Sequence, residues 1–111
     1  MKKYVLQLTT GNNFVLESNG EDLYQAIKRG KHMLQIGNMA LRKQTVLYVI
    51  PSLEEKEMAY HVTLNTGEVI AVSGEVDITQ VVSQINDGRS EFTQVGDALF
   101  ANHIINLVTP A

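Results

Sequence analysis

Apolar and polar residues alternate over Tyr4 to Thr9 and again over Phe14 to Ser18, around the polar turn Thr10-Gly11-Asn12-Asn13. Side chains of a strand point to opposite faces in turn, so this pattern predicts two half-buried strands joined as a hairpin. Tyr60 to Asn65 and Val69 to Ser73 repeat it. The spacing then lengthens. Leu23, Ala26 and Ile27, and later Ile78, Val81, Val82 and Ile85, recur at the three-to-four residue interval of a helix face. Asn19 is a suitable N-cap for the first helix, with Glu21 and Asp22 complementing the positive end of its dipole. Gly30 and Gly88 fit left-handed C-terminal caps. Beyond each helix, apolar alternation is broken at Gly37-Asn38 and Gly96-Asp97, which are hairpin dipeptides. The strands Val46 to Ile50 and Ile104 to Val108 each run up to a proline.

The same order thus occurs twice, and the matches are specific. At an offset of 56, Tyr4, Leu8, Thr10 and Gly11 fall on Tyr60, Leu64, Thr66 and Gly67. At 55, Asp22 and Gln25 fall on Asp77 and Gln80. At 59, Gln35, Gly37, Val49 and Pro51 fall on Gln94, Gly96, Val108 and Pro110. The change of offset predicts a few extra residues around the second helix end. The expected fold is α+β: two tandem pseudo-symmetric β-β-α-β-β units, with antiparallel sheets sharing one core. Residues 1–51 form the first copy and 60–111 the second. Residues 52–59 are a charged linker, where Ser52 and Glu55 have capping-box spacing for one short helix.

Composition leaves this picture intact and narrows the chemistry. Of 111 residues, 44% are hydrophobic and 19% charged, as in globular proteins, and no apolar run is long enough to span a bilayer. Met1-Lys2-Lys3-Tyr4 opens a strand pattern in place of a signal peptide. The absence of cysteine removes disulfides and thiolate chemistry and fits a cytoplasmic protein. A net charge of −3 gives no overall attraction to phosphate backbones, so a nucleic-acid role would need a local basic patch.

Candidate catalytic chemistry is sparse. His32, His61 and His103 lack the close spacing of metal ligands. Asp22 and Asp77 match between the copies, but both stand where a helix begins and a carboxylate is structurally favoured. Gly11 and Gly67 are lone turn glycines and not a phosphate loop. No nucleophile elbow surrounds the serines and threonines. The expectation is a protein that is not an enzyme, with no metal and no cofactor.

One feature differs between the copies. Lys28, Arg29 and Lys31 close the first helix, His32 follows, and Arg42-Lys43 sit in the hairpin; the second copy has Arg89 and His103 in the matching regions. Cations at a helix C-terminus stabilise it by about 0.3–1 kcal/mol, which accounts for the helix group without function. Arg42-Lys43 have no helix end to explain them and are the stronger candidates for binding.

The segment "ANHIINLVTP", with "VTLNTGEVIAVSG" upstream, resembles the two signature strands of bacterial Sm-like (Hfq-type) RNA-binding proteins. Asn102-His103 stands where that family has Lys-His, followed by Ile104, Ile105, Val108 and Pro110; Lys43-Gln44 holds the same place in the first copy. The likeness covers about half of each copy. A helix interrupts the region where an Sm fold runs strands continuously, and the family's N-terminal helix is absent. The resemblance implies ring assembly and single-stranded RNA binding near Lys43, Gln44, Asn102 and His103.

The expected function is that of a small interaction protein binding a macromolecular partner; by analogy it suits a bacterial or phage accessory protein. The alternative is nucleic-acid binding through Lys28, Arg29, Lys31, Arg42, Lys43, Gln44, Asn102 and His103. Tyr4 to Thr9 carries no charge to protect an exposed strand edge, so a homodimer or higher oligomer is expected.

Overall fold

The computed structural model describes residues 2–52 and 59–111. The chain divides into two compact units, Met1–Ser52 and Leu53–Ala111. Most of the predicted linker, and any helix there, lies outside the described residues. The fold is α+β with antiparallel sheets.

In the first unit, β1 (Lys2–Leu8) pairs with β2 (Asn13–Ser18), the helix α1 (Gly20–Arg29) follows, and β3 (Met33–Ile36) pairs with β4 (Met39–Arg42). A 3-10 turn, Lys43–Thr45, leads directly into β5 (Val46–Pro51), which returns antiparallel to β1. The unit therefore has one short strand more than the β-β-α-β-β pattern. The 3-10 turn breaks the long apolar alternation into a hairpin strand and a sheet strand. It also places β1 between β2 and β5. The uncharged stretch from Tyr4 to Leu8 is therefore in a central strand paired on both sides, and it offers no exposed edge for oligomerisation.

Tyr4, Leu6 and Leu8 alternate inward from β1 and are buried, as are Val46, Tyr48 and Val49 of β5. Helix α1 covers that face. Leu23, Tyr24 and Ile27 are buried, and the Tyr24 ring meets Tyr4 edge-on at 5.8 Å between centroids. The Oδ1 of Asn19 accepts the Glu21 N–H at 3.0 Å, capping α1 as its sequence predicts. Gly30 does not take the left-handed cap conformation; its φ of −62° and ψ of 143° are extended. A Cβ there would overlap the end of the Leu34 side chain, so a larger residue would require Leu34 to move; the φ itself imposes nothing.

In the second unit, β6 (Tyr60–Leu64) pairs with β7 (Val69–Val72), α2 (Ile78–Asp87) follows, and β8 (Phe92–Val95) pairs with β9 (Ala98–Ala101). A 3-10 turn, Asn102–Ile104, leads into β10 (Ile105–Pro110), which pairs antiparallel with β6. Asp77 is the N-cap of α2, its carboxylate accepting the Gln80 N–H at 3.2 Å. Gly88 takes the left-handed cap conformation, at φ 70°.

The two units differ in the approach to the helix. One residue, Asn19, separates β2 from α1, whereas residues 73–77 separate β7 from α2. The extra residues of the second unit thus lie mainly before its helix and not at the helix end. They receive the β8–β9 hairpin tip. Asp97 accepts from the Ser73 N–H at 3.2 Å and from the Ser73 hydroxyl at 2.5 Å, and its own N–H donates to the Ser73 carbonyl at 2.9 Å. Gly96, at φ +59°, lies so close that a Cβ would overlap that carbonyl. At the tip of β3–β4, a Cβ on Gly37 would meet no atom within 4 Å.

Candidate functional site

The first unit gathers the basic residues that the sequence singles out. Lys28 and Arg29 lie in the last turn of α1, and Lys31 and His32 lie exposed just beyond it. Arg42 ends β4 directly opposite Met33, at the open end of the β3–β4 hairpin, and is exposed. Gln44 is exposed on the adjoining 3-10 turn.

Lys43 is placed differently. It is only 6% exposed, and its Nζ donates to the carbonyls of Lys28 at 3.0 Å and Gly30 at 2.7 Å. Those carbonyls belong to the end of α1, where backbone oxygens lack helical partners and the dipole is negative. A helix end therefore does explain Lys43, supplied by folding from fifteen residues away. Its ammonium is turned inward, and the exposed cations of this end are Arg29, Lys31 and Arg42.

Asn102 and His103 occupy the matching turn of the second unit. The Oδ1 of Asn102 accepts the hydroxyl of fully buried Thr93 at 2.5 Å, and its Nδ2 donates to the Ser90 carbonyl at 2.7 Å. Asn102 therefore also ties the post-helix loop to the corner. His103 is exposed, and its carbonyl accepts from the Asn65 side chain at 3.4 Å. Among the described residues, no group of three or more His, Asp or Glu could hold a metal ion.

The second unit carries an apolar helix face that its own unit leaves largely open. Ile78, Val81, Val82 and Ile85 form the predicted stripe of α2, yet only Val81 is buried; Ile78 is 38% and Val82 51% exposed. With Leu107 of β10, 52% exposed, they line an open groove of about 270 Å³ between helix and strand. In α1 the equivalent stripe, Leu23, Tyr24 and Ile27, is buried. Periodicity reports which face of a helix is apolar; it does not report whether the same chain covers it.

Charge separates the units as well. Residues 2–52 hold seven Lys or Arg against three Asp or Glu, while 59–111 hold only Arg89 against six Asp or Glu. Exposed Asp77 and Asp87 stand at the two ends of α2 beside the groove, Asp87 meeting Arg89 at 3.4 Å on the surface. No helix among the described residues is long and apolar enough to cross a membrane. No protein-family model, curated protein or solved structure matches this chain.

Proposed function

We propose that the chain is a non-enzymatic interaction protein, built from two copies of one unit, that binds a macromolecular partner through the groove between α2 and β10. The observation that carries this is the open apolar stripe itself. Ile78, Val82 and Leu107 expose large aliphatic side chains around one groove, with the polar Asn86 and Asn106 beside them and Asp77 and Asp87 at the two ends of α2. Contiguous exposed apolar surface with a polar rim is characteristic of a binding site.

Support for the two-copy origin lies in bonds that recur at matched positions. The Leu8 N–H donates to Asn12 O as that of Leu64 does to Glu68 O, and Thr9 N–H to Thr45 O as Asn65 to Ile104. Lys43 N–H donates to His32 O as Asn102 does to Glu91 O. Gly11 and Gly67 share φ values of 89° and 90°, and Gly37 and Gly96 values of 60° and 59°.

The test is affinity purification of the tagged chain from its native host, alongside Leu107→Asp. Retention of a defined macromolecule by the wild type and its loss in the variant is the expected result. Equal retention by both would remove the groove from the function.

The basic end of the first unit favours a second reading, nucleic-acid binding through Arg29, Lys31 and Arg42, in keeping with the Sm-like resemblance of the corner strands. Retention on single-stranded RNA should then fall steeply with salt, and Lys31→Glu with Arg42→Glu should abolish it. Lys43 is omitted from that test because its ammonium is engaged at the helix end.

A further inference from the structure

Each unit contains the same two surfaces, and each has one buried and the other open. The first surface is the groove between a helix and the last strand. At its matched positions Tyr24 and Tyr48 are buried in the first unit, while Val82 and Leu107 are open in the second; Ile27 is buried where Ile85 is half-buried. The second surface is one face of the hairpin after the helix. Strand register puts Met33, Gln35, Ala40 and Arg42 on one face of β3–β4, and Phe92, Gln94, Leu99 and Ala101 on the corresponding face of β8–β9. Phe92, Leu99 and Ala101 are at most 2% exposed, with Gln94 alone exposed on that face, whereas Met33 is 52% exposed and Gln35, Ala40 and Arg42 are also exposed. The molecule therefore leaves open a groove on one unit and a hairpin face on the other.

The units that carry these open surfaces are opposite in charge balance. The hairpin face ends in Arg42 and is preceded by Lys31 and His32, in a unit with a basic excess. The groove belongs to a unit with an acidic excess, with Asp77 capping the start of α2 and Asp87, paired with Arg89, at its end. Both also offer apolar centres, Met33 on one side and Val82 with Leu107 on the other. Opposite charge around an apolar centre steers encounter and fixes register.

We propose that the occupant of the α2–β10 groove is the β3–β4 hairpin of a second copy of this chain. This rests on the groove being the binding surface. The two faces are different patches, so the contact is heterologous: every copy that fills a groove presents another groove of its own. Such a contact closes into a ring or continues as a filament, and does not stop at a twofold dimer.

The experiment is solution mass by sedimentation, from about 1 to about 100 µM, the range in which micromolar contacts fill. It compares the wild type with Val82→Asp in the groove and Met33→Asp on the hairpin. Both positions are half exposed, and circular dichroism checks that both variants fold. The wild type should exceed twice the 12.3 kDa chain mass at the upper end, and less so at high salt. Each variant alone should remain at the chain mass. An equimolar mixture should form a species of twice the chain mass, because one intact groove meets one intact hairpin and the remaining faces are disabled.

A wild type that stays monomeric throughout, or variants that both keep the wild-type mass, would overturn the proposal. Monomeric variants that fail to associate when mixed would also overturn it, since they indicate an isologous contact. If Leu107→Asp loses the partner retained from the host while Met33→Asp leaves solution mass unchanged, the groove remains a binding surface and the second copy is excluded as its occupant.

Discussion

Ser73 and Asp97 are joined by three hydrogen bonds that use both carboxylate oxygens and both backbones, at 2.5, 2.9 and 3.2 Å. Ser73 is 3% exposed, so this clamp is largely withdrawn from water and fixes the β8–β9 tip to the loop before α2. Asp97→Ala would leave the buried Ser73 hydroxyl and N–H without these acceptors. A loss of about 2 kcal/mol is expected in denaturant unfolding. Asn38→Ala, at the exposed equivalent tip, should change stability by less than about 0.5 kcal/mol.

The neighbouring glycines separate strain from steric overlap. Gly37 and Gly96 have nearly the same positive φ, 60° and 59°, a region costly for any residue with a Cβ. Gly37→Ala should cost about 1 kcal/mol from conformation alone. Gly96→Ala adds overlap with the Ser73 carbonyl, a backbone atom that cannot rotate away. It should lower the unfolding midpoint clearly more than Gly37→Ala, and a smaller effect would contradict the docked hairpin.

Lys43 provides a test of inward charge. Lys43→Met retains the aliphatic stem but removes the ammonium from the Lys28 and Gly30 carbonyls. A loss of about 1–3 kcal/mol is expected, with faster amide exchange at the end of α1. Arg42→Glu, on the exposed residue beside it, should leave stability within about 0.5 kcal/mol.

The helix caps should respond alike despite their different residues. Asn19→Ala and Asp77→Ala each remove the side-chain acceptor for one first-turn N–H. About 1 kcal/mol is expected for each, measured by thermal or denaturant unfolding.

Strands, helices and hairpin turns were legible because each depends on neighbours in sequence. Alternation marked β1, β2, β6 and β7, and Asn19 announced the start of α1. The corner turns were not legible, because Lys43–Thr45 and Asn102–Ile104 carry no glycine or proline and interrupt runs that still alternate. The direction of Lys43 was hidden for another reason: its partners lie thirteen and fifteen residues earlier and meet it only when the hairpin folds beside α1. The open groove was not legible, since an apolar stripe has the same sequence signature whether or not it is covered. Of the candidate binding residues, folding gathers Lys28, Arg29, Lys31 and Arg42 at one end of the first unit, but withdraws the Lys43 ammonium.

The corner between the hairpin and the last strand has no slack. β4 ends at Arg42, the 3-10 turn takes Lys43–Thr45, and β5 begins at Val46 with no residue between them. One residue added there would shift side chains of the following strand onto the wrong face, or pull Lys43 from the helix end. At the Gly37-Asn38 tip an added residue would meet open space. For inserting a label or a peptide, the chain thus offers one tolerant and one intolerant address only a few residues apart. Under the proposed hairpin-in-groove contact, inserts of graded length at that tip would serve as a ruler of how deeply it enters.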